Sequence, residues 1–238
     1  MLFWKKMPSL WVGTKISLFS EIETSSAIAA LKIYLTICFF SEEDEFYKAR
    51  VAKLTYNDFC KISSLSRSLV SEGLKVLYDY DLIGNVSLTP RKKIYTVDVI
   101  AGLKDGWCKL PLSGILDEDR RVSAFQSMHN RYKFELVALQ VYIYLIYARD
   151  NNNEFILARK STIYKKIKCT PVELNKAITY LVHIGLLHKI EKKNVDKSID
   201  FLFHDSYYFH LKTGSPSALT YRKKQMLDSS IDDDDIPF

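Results

Sequence analysis

Residues 66–77 read SRSLVSEGLKVL, and the same pattern returns at residues 170–181 as TPVELNKAITYL. In the first stretch Val70, Leu74 and Leu77 fall at i, i+4 and i+7, so they form one apolar stripe along an α-helix. Both stretches open on a hydroxyl residue, whose side chain caps free amide groups of the first helical turn. The two stretches therefore predict equivalent helices in two repeats of one structural unit.

The similarity extends outward from these helices in both directions. Upstream, ALKIY at residues 30–34 matches ALQVY at residues 138–142, and each phrase lies in a long apolar helix that runs into a polar loop ending in Glu-Phe. Downstream, short alternating apolar segments are typical of a β-hairpin, with turns expected at residues 89–92 and 191–197. We expect a return strand at residues 198–201 to close the second hairpin. Two long copies indicate a tandem duplication rather than a solenoid.

Charge divides the chain into a basic body and an acidic end. The 238 residues include 34 Lys and Arg and 28 Asp and Glu, for a formal net charge of +6. Five of these acids, Asp228 and Asp232 to Asp235, fall in the last eleven positions without any Lys or Arg, so residues 1–227 carry 34 basic against 23 acidic side chains, or +11. A basic body indicates an anionic partner such as nucleic acid, and an acidic end indicates a basic one.

Composition and patterning exclude several classes of protein. The 47% hydrophobic and 26% charged residues are typical of a folded globular chain. The longest apolar stretches, residues 28–40 and 136–148, have 13 residues each, whereas a membrane span needs about 20. The first residues show no secretory signal, and the four cysteines form no C-x-x-C pair. We therefore expect a soluble protein of the reducing cytoplasm, with no disulfide framework and no membrane partner.

No motif in the chain indicates catalysis. The eight glycines form neither G-x-G-x-x-G nor the phosphate-binding G-x-x-x-x-G-K-[ST], and the five histidines show no H-E-x-x-H spacing. No histidine or cysteine has the partners that a metal site needs, and nothing marks one of the 15 tyrosines as a strand-transfer nucleophile. We therefore expect no enzymatic activity, no catalytic residue, no cofactor and no metal.

The order of helix, helix-turn-helix and β-hairpin resembles the winged-helix fold. Residues 54–83 are similar to bacterial winged-helix modules in which a Ser-Arg-Ser-x-Val run opens the recognition helix, and this chain reads SRSLV at residues 66–70. Two such modules in one chain resemble plasmid and phage replication initiators and primosomal proteins. The resemblance covers most of residues 25–100 and 132–203.

The resemblance implies a mainly α protein with small β-hairpins, of the α+β class, built from two tandem winged helix-turn-helix domains and a disordered acidic tail. The expected boundaries are residues 1–100 for the first domain, 101–131 for a connector, 132–212 for the second domain and 213–238 for the tail. Within the connector, near residues 107–110, we expect a strand that opens the second domain.

In a DNA-binding winged helix, the recognition helix enters the major groove and the wing contacts phosphates or the minor groove. For the first repeat the resemblance implies DNA contacts by Arg67, Ser68, Ser71 and Lys75 on the helix and by Arg91, Lys92 and Lys93 on the wing. For the second repeat it implies Asn175, Lys176 and Thr179 on the helix, Lys165, Lys166 and Lys168 on the helix before it, and Lys192, Lys193 and Lys197 on the wing. Glu72 opposes phosphate binding in the first repeat, and Glu173 and Pro171 do so in the second. We expect the first repeat to read base edges better than the second.

The last seven residues, 232–238, read DDDDIPF. This run resembles the acidic tip of bacterial single-stranded-DNA-binding protein (SSB), in which aspartates precede a final Ile-Pro-Phe. A terminal Phe offers a ring for an apolar pocket and a carboxylate for an arginine, while aspartates speed the encounter with a basic surface. The resemblance implies partner binding by Asp232, Asp233, Asp234, Asp235, Ile236, Pro237 and Phe238. The implied partners are host proteins that dock on the SSB tip, of the primase, helicase, clamp-loader or repair-nuclease class. Binding of the tip to this protein's own basic face stays open as a second reading.

Together these features predict a DNA-binding replication initiator or loader of a bacterial plasmid, phage or integrative element, which binds double-stranded DNA and recruits host proteins through its tip. Two alternatives remain open. A decoy or defence-related inhibitor would occupy the docking pockets for the SSB tip, and a winged-helix transcriptional regulator would use its DNA-binding helices alone. The DNA sequence, the strand preference and the oligomeric state, a homodimer included, stay open as well.

Overall fold

The computed structural model describes residues 4–87, 93–97, 106–150, 152–153, 155–193 and 205–212. Within these ranges the protein is mixed α+β, with eight α-helices, one 3₁₀ helix and three small antiparallel sheets. None of the helices in these ranges is long and apolar enough to span a membrane. The acidic tail expected at residues 213–238 lies outside the described residues.

The first half of the chain places one long buried helix against a helix pair and a small sheet. Its elements are β1 (Trp4–Pro8), α1 (Val12–Lys15), the 3₁₀ helix (Ile16–Glu21), α2 (Thr24–Phe40), β2 (Glu42–Asp44), β3 (Ala49–Lys53), α3 (Tyr56–Ser63), α4 (Arg67–Asp79), β4 (Gly84–Asn85) and β5 (Ile94–Thr96). The last four strands form one sheet in the order β2-β3-β5-β4, and α2 packs against both α3 and α4. We refer to residues 24–97 as the first repeat.

The second half has the same arrangement. Its elements are β6 (Trp107–Pro111), α5 (Ser123–Gln126), α6 (Lys133–Ala148), β7 (Phe155–Arg159), α7 (Lys160–Ile167), α8 (Pro171–His183), β8 (Leu187–Lys192) and β9 (Ser206–Leu211). The sheet order β7-β9-β8 corresponds to β3-β5-β4, and α6 packs against α7 and α8 as α2 packs against α3 and α4. We refer to residues 133–212 as the second repeat, and to residues 4–23 and 107–132 as the leading segments of the two repeats.

The helices α4 and α8 form where the sequence pattern predicts them. Val70, Leu74 and Leu77 are buried along one side of α4, and the Ser66 hydroxyl accepts a hydrogen bond from the Leu69 amide at 3.3 Å. α8 buries the equivalent stripe, and its N-cap threonine forms a capping box with the glutamate three residues later. The prediction of two equivalent helices is therefore confirmed.

The first predicted hairpin pairs as the antiparallel strands β4 and β5, and β8, the first strand expected in the second hairpin, pairs antiparallel with β9. β8 is longer than the sequence pattern predicts. Glu191 and Lys192, expected in the turn, lie in β8 because they continue the ladder opposite Tyr208 and Tyr207. The turn prediction is therefore wrong at these two positions. The return strand expected at residues 198–201 lies outside the described residues, and β9 is the described partner of β8.

Strands β3 and β7 are missing from the predicted pattern, as are β1 and β2. Each of β3 and β7 follows the polar loop after the central helix of its repeat and pairs with the last strand, so that Ala52 lies opposite Tyr95 and Ile156 lies opposite Phe209. Each strand has only five residues and ends on a charged one, so polar and apolar residues alternate too little to indicate a strand. The strands form because they pair with residues far along the chain. These strands complete the sheet in each repeat.

The leading segments also match each other, since β1 reads WKKMP and β6 reads WCKLP. The two strands pair antiparallel with Lys6 opposite Lys109, so a local two-fold axis relates them. The rings of Trp4 and Trp107 stack at 5.6 Å, and each lysine Nζ lies 5.4 Å from the ring centroid of the tryptophan on the other strand. The strand predicted near residues 107–110 is confirmed, and its partner is the leading segment of the first repeat.

The two repeats bind each other's leading segments through equivalent buried side chains. Lys32 of α2 donates hydrogen bonds to the Phe125 carbonyl at 3.1 Å and to Asn130 Oδ1 at 2.6 Å. Gln140 occupies the matching position on α6 and donates to the Ile16 carbonyl at 2.8 Å. The 3₁₀ helix likewise contacts α7, and α5 contacts α3. Because buried polar groups need partners, these bonds tie both halves into one shared core.

Candidate nucleic-acid interface

In each repeat two helices meet across a short turn with the same backbone geometry. Ser64, after α3, and Lys168, after α7, both adopt the left-handed conformation, with φ of 52° and 59°. This conformation is uncommon for residues other than glycine and ends a helix abruptly. The chain therefore reverses at once, and α4 and α8 begin close to the ends of α3 and α7.

The outer face of α4 carries the residues that the sequence indicates for this helix. Four of them are exposed: Arg67, Ser68, Ser71 and Lys75. Arg67 Nη1 donates to Asn57 Oδ1 at 2.8 Å, and its guanidinium carbon lies 5.9 Å from the centroid of the Tyr56 ring. Asn57 and Tyr56 belong to α3, so Arg67 is held across the helix-helix turn rather than left free in solvent.

The helix α4 and the hairpin of the first repeat enclose a cleft of about 310 Å³. Its lining combines cationic, polar and aromatic side chains: Tyr56, Ser71, Leu74, Lys75, Tyr78, Asn85, Lys93 and Tyr95. The cleft thus brings together three of the predicted DNA-binding residues, Ser71, Lys75 and Lys93. Arg91 and Lys92 lie outside the described residues.

Two of the cleft tyrosines are held in their protonated form. Burial raises the pKa of Tyr78, and the neighbouring Tyr56 adds to the rise. Burial also raises the pKa of Tyr95, with smaller contributions from Tyr78 and Tyr56. A tyrosine hydroxyl is protonated at neutral pH in any case, and the raised pKa values extend that protonated range to higher pH. The raised pKa values oppose formation of the phenolate that a tyrosine nucleophile needs.

These tyrosines and Asn57 are not among the residues that the sequence indicates for DNA binding. Tyr78 follows Ser71 and Lys75 at i+7 and i+3, so helical spacing could have placed it on their face of α4. Tyr56 and Tyr95 carry no comparable signal, because they belong to α3 and β5 and approach α4 only in the folded chain. The aromatic part of the cleft is therefore a tertiary feature.

No family model, curated protein or solved structure matches the chain. What this surface can bind is therefore inferred from the chemistry of its own residues. Exposed lysines and arginines bind phosphates, serine and asparagine hydrogen-bond base edges, and tyrosine rings stack on bases. The face of α4 and its cleft offer all three kinds of group within one area, a combination that suits a nucleic acid.

The second repeat carries the other predicted residues on α7, α8 and β8, except that Lys168, expected on α7, lies in the turn after it and Lys193 follows the end of β8. The following are exposed: Lys165, Lys166, Lys168, Asn175, Lys176, Thr179 and Lys192. Lys193 is half-buried, and Lys197 lies outside the described residues. Asn175 Oδ1 accepts from Lys160 Nζ at 2.9 Å, and the Thr179 hydroxyl donates to the Asn175 carbonyl at 3.1 Å. Two residues expected to read bases thus have partners within this repeat.

The glutamates expected to repel phosphate also have local partners. Glu173 Oε2 accepts from the Thr170 amide at 2.8 Å and from the Thr170 hydroxyl at 3.0 Å. The bond from the backbone amide is the main reason why the pKa of Glu173 lies below its usual value. Glu72 Oε2 accepts from Ser26 Oγ at 2.8 Å, near the start of α2. Both carboxylates are therefore turned towards helix N-termini, where negative charge is favourable.

The His, Cys, Asp and Glu side chains in the described part of the chain do not gather at one place. No group of three or more His, Cys, Asp or Glu side chains there is placed to hold a metal ion. Burial raises the pKa of Cys108 to about 12 and that of Cys169 to about 11. These two side chains are thiols rather than reactive thiolates at neutral pH.

Proposed function

We propose that the chain is a DNA-binding protein with one winged helix-turn-helix module in each repeat, acting as a replication initiator or loader of a bacterial mobile element. The DNA-binding part rests on the topology that the repeats share. Each has a central helix, a strand, two helices across a tight turn, and a hairpin whose last strand lies between the other two. A helix-turn-helix places its second helix in the major groove, and α4 and α8 are the second helices here.

In this proposal the first repeat reads the sequence of the duplex. Asn57 holds the guanidinium of Arg67 beside the start of α4, so less conformational freedom is lost when the side chain meets a base. An arginine can bind guanine through two hydrogen bonds, and the hydroxyl of Ser71 can contact several base edges. Lys75 and Lys93 supply the positive charge that binds neighbouring phosphates.

The second repeat contributes mainly phosphate contacts in this proposal. Lys165 and Lys166 are exposed in the last turn of α7, and Lys176 is exposed on α8. Asn175, the amide expected to read bases, already accepts a hydrogen bond from Lys160 Nζ at its Oδ1, so one of its base-reading groups is engaged. Cation–phosphate contacts raise affinity for any duplex and weaken with salt, so this repeat adds binding strength more than sequence discrimination.

Residues 232–238 provide the recruiting part of the proposal, which is supported by the resemblance of DDDDIPF to the SSB tip. Host proteins of the primase, helicase, clamp-loader or repair-nuclease class would dock on this segment while the repeats hold the DNA site. The proposed place of action is the bacterial cytoplasm. A decoy would need the acidic segment alone, and a regulator would need the repeats alone. Removing the segment or impairing the repeats should therefore affect the three functions differently.

Selection of duplexes from a randomised pool tests DNA binding directly. We expect the full chain to enrich one sequence and to bind it at least roughly 10³-fold more tightly than random duplex at the same salt concentration. Arg67→Ala should cost about 1–3 kcal/mol at that sequence and little on random duplex. Lys75→Gln should weaken binding to both the selected and the random duplex. It should also make the slope of log K against log salt concentration shallower by about one unit.

The matched control is Lys48→Asn. Lys48 is an exposed cation in the turn between β2 and β3, at the opposite edge of the sheet from β4, and its φ of 47° is one that asparagine tolerates. Its loss should change neither affinity nor salt dependence. Enrichment of no sequence, or equal losses for Arg67→Ala on every duplex, would overturn the proposed sequence recognition.

Replication in cells distinguishes an initiator from the two alternatives. A plasmid with the selected duplex and no other origin should replicate in bacteria that express the chain. Replication should fail with Arg67→Ala and after deletion of residues 232–238. Replication that survives the deletion would overturn recruitment by this segment. A cellular effect that survives Arg67→Ala but needs the segment would favour a decoy.

A further inference from the structure

The cleft beside α4 contains aromatic residues that the repeated fold does not require. Tyr56 is the first residue of α3, and Lys160 holds that position in α7. Tyr78 is next to last in α4, and Val182 is next to last in α8. The second repeat thus forms the same helix pair without an aromatic ring at either position.

Tyr95 and the residue at its place in the second repeat differ by a hydroxyl group. Tyr95 lies opposite Ala52 on β3, and Phe209 lies opposite Ile156 at the equivalent place on β7. Both rings are core residues, with 1% exposed for Tyr95 and 0% for Phe209. Because the second repeat packs this position with phenylalanine, the core does not need the hydroxyl oxygen. In the first repeat Tyr95 instead contributes to the lining of the cleft.

The remaining cleft residues are those that a nucleotide would need. Lys75 and Lys93 bring two ammonium groups to its walls, and Ser71 and Asn85 add polar side chains. Tyrosine rings stack on every base because each base has a π-face, and lysines neutralise the phosphates beside it. The volume of about 310 Å³ is at the lower end of small-ligand sites, roughly 300–1,000 Å³, so it suits one base with its sugar.

We propose that this cleft binds one unstacked base of the DNA that the first repeat contacts, with the adjacent phosphates on Lys75 and Lys93. The inference rests on the proposed DNA-binding function and deepens it. Tyr56 and Tyr78 stack on the base, and Ser71 and Asn85 offer hydrogen bonds to its edge. Since a paired base must first leave the stack at a cost in free energy, DNA with a base already unpaired is the better ligand.

The test uses the full chain and its selected duplex, either fully paired or with a single unpaired base moved stepwise along each strand. We expect one position of the unpaired base to raise affinity roughly tenfold or more. Tyr78→Ala should abolish this gain, so that the variant binds the paired duplex and the duplex with the unpaired base with equal affinity. Tyr78 is 37% exposed, so its truncation leaves the core intact. Tyr78→Phe keeps the ring and should keep the gain.

Val182→Ala is the matched control, because it truncates the equivalent position of α8, and it should leave the gain unchanged. Equal affinity at every position of the unpaired base would overturn the base-binding proposal while leaving DNA binding in place. Failure to bind any duplex would overturn both proposals together.

A free nucleotide is the other source of the same chemistry, so deoxynucleoside monophosphates are tested as competitors. We expect them to displace the duplex with the unpaired base only at millimolar concentrations. Micromolar binding that depends on Tyr78, without any preference for an unpaired base, would overturn the proposal in favour of a site for a free nucleotide.

Discussion

Trp4 and Trp107 stack across the β1–β6 ribbon, with their ring centroids 5.6 Å apart and their planes 10° apart. Each ring also faces a lysine of the other strand, Lys109 for Trp4 and Lys6 for Trp107. Trp107 is 37% exposed, so much of its surface is removed from water by these contacts. Since the two strands belong to different leading segments, the stacked pair joins the two halves of the chain.

Trp107→Ala should lower the free energy of unfolding by about 1–3 kcal/mol, because it removes the ring pair and the cation–π contact with Lys6. Urea unfolding followed by circular dichroism measures the loss. Phe46→Ala is the control, since Phe46 is 75% exposed in the turn between β2 and β3 and should change stability by less than about 0.5 kcal/mol. Equal losses in the two variants would contradict a stabilising role for the stacked pair.

Gly73→Ala should destabilise the crossing of α4 over α2. A Cβ atom at Gly73 would lie 2.9 Å from the Ala30 nitrogen and 2.8 Å from Ile33 Cδ1. The backbone of α2 cannot yield cheaply, so we expect a loss of about 1–3 kcal/mol despite the better helix propensity of alanine. Gly13→Ala, whose Cβ would meet only the Tyr147 side chain at 3.2 Å, should shift thermal unfolding much less. A Gly73→Ala variant of parental stability would contradict the close approach.

Lys32 should make stability depend on pH. It is 0% exposed, and loss of hydration lowers its pKa from 10.5 to about 7, with a smaller opposing effect of Glu135. Between these values the unfolded chain binds more protons than the folded one, so the free energy of unfolding rises with pH. In Lys32→Met this contribution is absent. We therefore expect the stability of the parent relative to the variant to grow by about 1–3 kcal/mol from about pH 7 to pH 9.

Urea unfolding at several pH values between these limits measures that difference. The comparison with Lys32→Met cancels the tyrosines, whose raised pKa values reduce stability only at still higher pH and do so in both proteins. A difference that stays constant with pH would contradict a deprotonating, buried Lys32.

Asn57 should act on DNA binding through Arg67. Asn57→Ala removes the 2.8 Å hydrogen bond that holds the guanidinium, so affinity for the selected duplex should fall about 3–10-fold. Affinity for random duplex should stay unchanged. Fluorescence anisotropy of both variants and of the double variant completes a double-mutant cycle, in which Asn57→Ala should cost little once Arg67 is alanine. Fully additive losses would contradict a positioning role.

The acidic segment should act independently of the DNA surface. Phe238→Ala and deletion of residues 232–238 should abolish capture of host replication or repair proteins from nuclease-treated bacterial lysate. Both variants should bind the selected duplex within about twofold of the parent. Mass spectrometry of the captured proteins should identify members of the primase, helicase, clamp-loader or repair-nuclease classes. Identical captures by parent and variants would contradict recruitment by this segment.

The helices that carry the proposed DNA contacts could be predicted because their signals are local. The apolar stripe of α4 and its Ser66 cap lie within one short stretch, and both formed as expected. Strands β3 and β7 could not be predicted in the same way. Ala52 is stabilised opposite Tyr95, and Ile156 opposite Phe209, so the pairing depends on residues more than one helix pair away.

The candidate site was predicted in part for the same reason. Helical spacing places Ser71 and Lys75 on the exposed face once α4 is known. The cleft needs Tyr95, which reaches α4 only after the hairpin has formed. Lys32 was no candidate at all, because its partner Asn130 is 98 positions along the chain and no local pattern indicates the bond.

The reciprocal contacts of Lys32 and Gln140 limit how such a protein can change during evolution. Each side chain binds the leading segment of the other repeat, so recombination that exchanged one repeat for that of a related element would break both sets of buried bonds at once. Under the proposed function, new DNA specificities would therefore arise more readily by single substitutions at exposed positions of α4 and α8. Ser71 and Asn175 are such positions, and they can vary without disturbing the interior that the two halves share.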